Sequence, residues 1–71
     1  MFNEWQALMS SNLSSVRYDA DERVLEVEFT SGTQYSYSDV PQETFDDLLT
    51  ADSHGKFFHA HIRSSFDYEK L

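Results

Sequence analysis

The sequence predicts a small α+β domain, a three-stranded antiparallel meander packed against two C-terminal helices in the order β-β-β-α-α. Three observations carry this reading. "VLEVEF" alternates Leu25, Val27 and Phe29 with Glu26 and Glu28, the period of a strand with one core face and one wet face. The apolar segments on either side join it through "DADER" and "TSGT", connections too short for a parallel crossover. Beyond Pro41 the apolar period lengthens to that of a helix, with Phe45, Leu48 and Leu49 at i, i+3 and i+4.

Residues 1–10 read as an N-terminal extension and residues 11–71 as the domain. Within the extension, Trp5, Leu8 and Met9 have the spacing of one short helical turn. The first strand spans roughly Leu13–Tyr18, the second residues 24–30 and the third residues 33–38. Gly32 supplies the positive φ that the second turn needs. In the third strand Tyr35 and Tyr37 share one face, opposite Gln34, Ser36 and Ser38. Pro41 opens the first helix, near residues 41–50, because a first-turn N–H has no partner to lose. "ADSHG" breaks it, and Ser53 caps a second helix over residues 55–63. The expected core is Leu25, Val27, Phe29, Phe45, Leu49, Phe58 and Ile62. The tail alternates Phe66 and Tyr68, a pattern that docks as an extended segment.

Composition narrows the function classes. A chain of 71 residues without cysteine has neither disulfides nor thiolate metal sites, as suits a reducing cytoplasm. No apolar run reaches the length of a membrane span. An acid stands where an export signal would carry positive charge. The net charge of −8 opposes non-specific binding to nucleic acid phosphates. That charge is uneven. Residues 1–52 carry 11 acids against two bases, whereas residues 53–71 carry two acids, three bases and all three histidines. An anion site therefore belongs in the C-terminal quarter.

Two groups of residues stand out there and in the third strand. Lys56, His59 and Arg63 fall at i, i+3 and i+7, one face of the second helix. Ser53 and Gly55 sit at its start, where free backbone N–H groups favour a phosphate or carboxylate. The alternative is a solvated basic face paired with the acidic surface. Tyr35 and Tyr37 either stack on bases or line the inward face of the sheet. Their place beside Leu25, Val27 and Phe29 makes them mainly core, with polar tips left for a site. His59 and His61 point to different sides of a helix, and His54 and His61 lack a nearby Asp or Cys, so no metal is expected. The Gly-Lys pair is not a P-loop, since the upstream Gly and the following Ser or Thr are missing. No serine stands in a nucleophile elbow, and Asp46-Asp47 reads as helix surface, so neither an enzyme nor a cofactor is expected.

"SNLSSVRYD", "LEVEFTSGTQYSYSDVP", "ADSHGKFFHAHIR" and the closing "FDYEKL" together resemble the KTSC domain over about residues 11–71. That family is a short bacterial module, found at the C-terminus of some lysyl-tRNA synthetases and as stand-alone bacterial or phage proteins. The Tyr-x-Tyr of Tyr35 and Tyr37, followed by "DVP", is the centre of the resemblance. It implies a small binding module with RNA as the suggested ligand. The residues themselves support two non-enzymatic readings. One is a module for RNA or a phosphate-bearing nucleotide, using Tyr35, Tyr37, Ser53, Gly55, Lys56, His59 and Arg63. The other is an acidic protein-interaction module that meets a basic partner through Glu26 and Glu28, occluding a host protein or sequestering a nucleotide signal. Nothing in the residues sets an oligomeric state.

Overall fold

In the computed structural model, which describes residues 1–71, the sheet has five strands where the sequence reading expected three. The strands are β1 (Gln6–Ala7), β2 (Leu13–Asp19), β3 (Val24–Phe29), β4 (Gln34–Tyr37) and β5 (Tyr68–Lys70). Their spatial order follows the chain, and every neighbouring pair is antiparallel. Helices α1 (Gln42–Thr50) and α2 (His54–His61) lie between β4 and β5 in sequence. The meander of three central strands and the two helices are as expected; both sheet edges are additions.

The N-terminal edge corrects the helical turn expected over residues 3–9. Gln6 pairs with Val16 and Ala7 with Ser15, while Asn3 donates its N–H to the Tyr18 carbonyl and accepts the Tyr18 N–H on its side-chain oxygen. Long-range backbone pairing to an otherwise open edge outweighs the weak preference of three apolar residues at helical spacing. At the other edge, the tail docks as an extended strand, with Tyr68 opposite Tyr37 and Lys70 opposite Tyr35.

Strand β2 contains an irregularity that its sequence hides. Pairing with β3 shifts register between Leu13 and Ser15. The extra residue lets Leu13, Val16 and Tyr18 share the core face, although strict alternation separates Leu13 from the other two. These three join Leu25, Val27, Tyr37, Val40, Phe45, Leu48, Phe58 and Ile62 in one layer between sheet and helices. The Tyr18 ring stacks on Phe45 at 4.8 Å, and its hydroxyl donates to the Val40 carbonyl. Of the expected core, Phe29 and Leu49 lie at the rim, half-buried. Phe29 ends β3 and borders open space, while Leu48, not Leu49, points from α1 into the layer.

The helix boundaries differ slightly from expectation. Pro41 is extended and caps α1, one residue outside it, and its carbonyl accepts from Thr44 and Phe45. Ser53 caps α2 as expected, accepting the Lys56 N–H on its hydroxyl. The helix then closes at Ile62, so Arg63 lies in the following turn.

The outer face of the sheet is also not the wet face expected. Glu26 is buried and accepts from Arg17 Nε at 2.6 Å. The Arg17 guanidinium in turn lies over the rings of Phe2 and Trp5, at 4.5 and 4.7 Å. The N-terminal segment thus covers the acidic face with two aromatics, held to the carboxylate through a shared cation. Glu28 accepts from the Ser15 hydroxyl.

Candidate functional site

Helix α2 packs on the inner sheet face and leaves Tyr35 of β4 half-buried and Tyr68 of the edge strand β5 exposed. Phe58 anchors it, meeting Phe29 and Tyr37 edge-on at 5.7 and 5.6 Å. Beyond Phe58 an open cleft of about 750 Å³ remains. Such a volume suits a ligand the size of a nucleotide. Phe29, Tyr35, Tyr37 and Tyr68 form its aromatic floor, Thr30, Ser31 and Thr33 one rim, and His59, Arg63 and Ser64 another. A second, more open groove lies on the far side of His59, between Met9–Asn12 and the start of α2, where Lys56 stands.

The seven candidate residues therefore divide between two neighbouring hollows. Tyr35, Tyr37, Gly55, His59 and Arg63 line the cleft; Ser53, Gly55, Lys56 and His59 line the groove. Gly55 and His59 are shared. Lys56 and Arg63 do not share a single surface as expected, because α2 ends before Arg63 and the turn carries it toward β5.

Local chemistry assigns several of these side chains. Arg63 Nη1 donates to His59 Nδ1 at 3.3 Å, so that imidazole nitrogen is an acceptor and the remaining guanidinium N–H groups are left for a ligand. The Ser53 hydroxyl and the Lys56 N–H bond to each other, which takes both out of the anion cradle expected at the helix start. Gly55 serves a close approach: a Cβ there would meet the Ser10 hydroxyl oxygen at 3.1 Å. That oxygen is fixed by the Asn12 and Leu13 N–H groups. His54 is a clasp, accepting the Met9 N–H on Nδ1 and donating from Nε2 to the Leu49 carbonyl. No three His, Cys, Asp or Glu side chains converge anywhere in the chain.

The tyrosine pair shares the core face of the sheet but differs in burial. Tyr37, opposite Leu25, is 3% exposed, whereas Tyr35, opposite Val27, is half-buried and borders the cleft. Tyr68 was not among the candidates, yet it pairs with Tyr37 and packs against both tyrosines. The alternation of Phe66 and Tyr68 signalled its strand; only the pairing with β4 places it at the cleft.

Burial pushes the Tyr37 hydroxyl above the ordinary tyrosine range, with Tyr35 and Tyr68 adding and Arg63 opposing. Burial raises Tyr18 in the same way, against an opposing contribution from Arg23. The folded chain holds these two protons more tightly than the unfolded chain. Their stabilisation is complete below the unfolded value of about 10 and is lost as pH rises through the folded values. In an ultraviolet absorbance titration we expect a late-ionising component that shrinks with Tyr18→Phe and with Tyr37→Phe. A curve unchanged by both substitutions would contradict this burial.

Electrostatically the two hollows differ from the rest of the molecule. None of the 14 residues lining the cleft and none of the nine lining the groove is Asp or Glu. With 13 acids among 71 residues, three or four acids would line an arbitrary surface of this extent, so the hollows stand out as acid-free.

The KTSC domain family model matches residues 9–66. The chain belongs to the KTSC domain family. It is similar to a crystal structure of a KTSC domain protein from Yersinia pestis, with a TM-score of 0.94, 32% identity, and coverage of 100% of this chain and 99% of that one. An uncharacterized protein of Stutzerimonas stutzeri is 52% identical over 52 residues, 73% of each chain. A lysine–tRNA ligase of Trichormus variabilis is 38% identical over 61 residues, 86% of this chain but only 11% of the ligase. No helix is long and apolar enough to cross a membrane.

Proposed function

We propose that this KTSC domain is a non-enzymatic binding module that holds a small phosphate-bearing ligand, a nucleotide or the end of an RNA strand, in the cleft beside α2. The observation that carries this reading is the acid-free lining, in a chain of net charge −8, around Arg63 and His59. A long polyanion meets the repulsion of the whole surface, whereas a compact anion in a cleft meets mainly the local groups. The Arg63 fork supplies bidentate contact to phosphate, and His59 stands beside it as a second donor. Similarity to a segment of lysine–tRNA ligases agrees with a phosphate-bearing ligand. The chain's place is the cytoplasm, as its lack of cysteine suits.

Isothermal calorimetry with nucleoside monophosphates tests the reading. Arg63→Ala is expected to weaken binding roughly tenfold or more, as loss of a charge-assisted contact does. Lys56→Ala, in the neighbouring groove, is expected to weaken it by less. An Arg63→Ala protein that binds as the parent does would remove the cleft from the account.

A further inference from the structure

We propose that Tyr68 is a stacking residue, and that the cleft takes an unpaired nucleobase together with its phosphate. The inference rests on the phosphate reading above and narrows it to ligands that carry a base. Of the 11 aromatic side chains, Tyr68 is the one that is exposed, at 63%; the others are buried or half-buried. It is nonetheless held in place. Its backbone pairs with Tyr37, Asp67 accepts the Ser38 N–H, and the Leu71 N–H donates to the Gln34 carbonyl. Its ring packs against Tyr35 edge-on at 5.7 Å and against Tyr37 at 5.8 Å.

A large ring kept in water on a paired strand is a ready platform, because its orientation is set before a ligand arrives. Every base has a π face, so stacking there tolerates sequence, while Arg63 takes the phosphate in the same cleft. Thr30, Ser31 and Thr33 line another rim; Thr30 and Ser31 donate to the Ser11 carbonyl and the Thr33 hydroxyl, which leaves their oxygens to accept from a base edge or sugar and the Thr33 hydroxyl to donate. A phosphate without a base would leave the aromatic floor unused.

The test compares adenosine monophosphate, ribose 5-phosphate and inorganic phosphate on the parent, Tyr68→Ala and Tyr68→Phe proteins, each shown folded by its amide spectrum. The parent is expected to bind adenosine monophosphate roughly tenfold or more above ribose 5-phosphate. Tyr68→Ala is expected to abolish that margin and leave ribose 5-phosphate unchanged, and Tyr68→Phe to keep it. Equal affinities in the parent, or a margin that survives Tyr68→Ala, overturn the stacking site while the anion site stands. If no phosphate compound binds at all, both fall. A single-stranded hexanucleotide separates the two sources of such a base. Much tighter binding than the mononucleotide points to a strand, equal binding to a free nucleotide, and either supports the site. A blunt duplex that competes as well as the single strand contradicts it.

Discussion

Phe58→Ala is expected to remove roughly half of the chain's folding stability. Phe58 is 2% exposed, and its ring meets Phe29 and Tyr37 edge-on, so it ties α2 to β3 and β4. Truncating a buried phenylalanine costs about 3–5 kcal/mol, from lost transfer energy and the cavity left behind. A 71-residue domain has a total stability of only about 4–11 kcal/mol. The loss thus removes a large share of the whole, and the remainder leaves little margin. Urea denaturation and amide dispersion read the result. A fully folded Phe58→Ala protein whose stability drops by less than about 1 kcal/mol would contradict the packing assigned to α2.

The second large effect is expected outside the inner core. Arg17→Ala leaves the Glu26 carboxylate buried without its partner and removes the cation beneath Phe2 and Trp5. Breaking a fully buried pair costs about 3–5 kcal/mol, and the Arg17 side chain is 34% exposed, so about 2–3 kcal/mol is the scaled expectation. The chain has a single tryptophan, and it reports this contact directly. Emission from Trp5 is expected to shift to the red as the N-terminal segment loosens. The companion change Arg17→Lys keeps the charge but not the planar face or the Nε contact, and is expected to restore only part of the loss. If neither substitution alters stability or tryptophan emission, the N-terminal segment does not cover the sheet.

The central strands and both helices were legible because each declares itself locally. Leu25, Val27 and Phe29 alternate without interruption, and Ser53 stands at the cap position before a helical run. The edges were not legible in the same way. Strand β1 has two residues, and its stability comes from pairing with Val16 and Ser15, which no local period reveals. The spacing of Trp5, Leu8 and Met9 pointed to a helix because a few apolar residues fit more than one period. Glu26 reads as wet because its own strand alternates; what covers it, through Arg17, is the segment of Phe2 and Trp5, more than 20 residues away in sequence. That change also removes Glu26 from the surface on which the protein-interaction reading relied, and Glu28 is engaged by Ser15.

The candidate site was legible in its charge and incomplete in its geometry. The contrast between an acidic body and a basic C-terminal quarter led to His59 and Arg63, which do line one cleft. The helical wheel that joined Lys56 to Arg63 failed because α2 stops at His61. By sequence Ser53 and Gly55 suit an anion cradle; in the fold the Ser53 hydroxyl serves the cap and Gly55 a close helix–segment approach. The alternation in the tail marks Tyr68 as part of a docking segment but not of the site, because its partner on β4 lies 31 residues earlier and only strand pairing brings the rings together.

The most direct measurement of the central claim is an amide chemical-shift titration with adenosine monophosphate at physiological salt. The account predicts saturable shifts at Thr30–Thr33, at Tyr35 and Tyr37, and from His59 through Ser64, with the outer face around Arg17 and Glu26 unmoved. Shifts confined to that outer face, or no saturable shift anywhere, would contradict it.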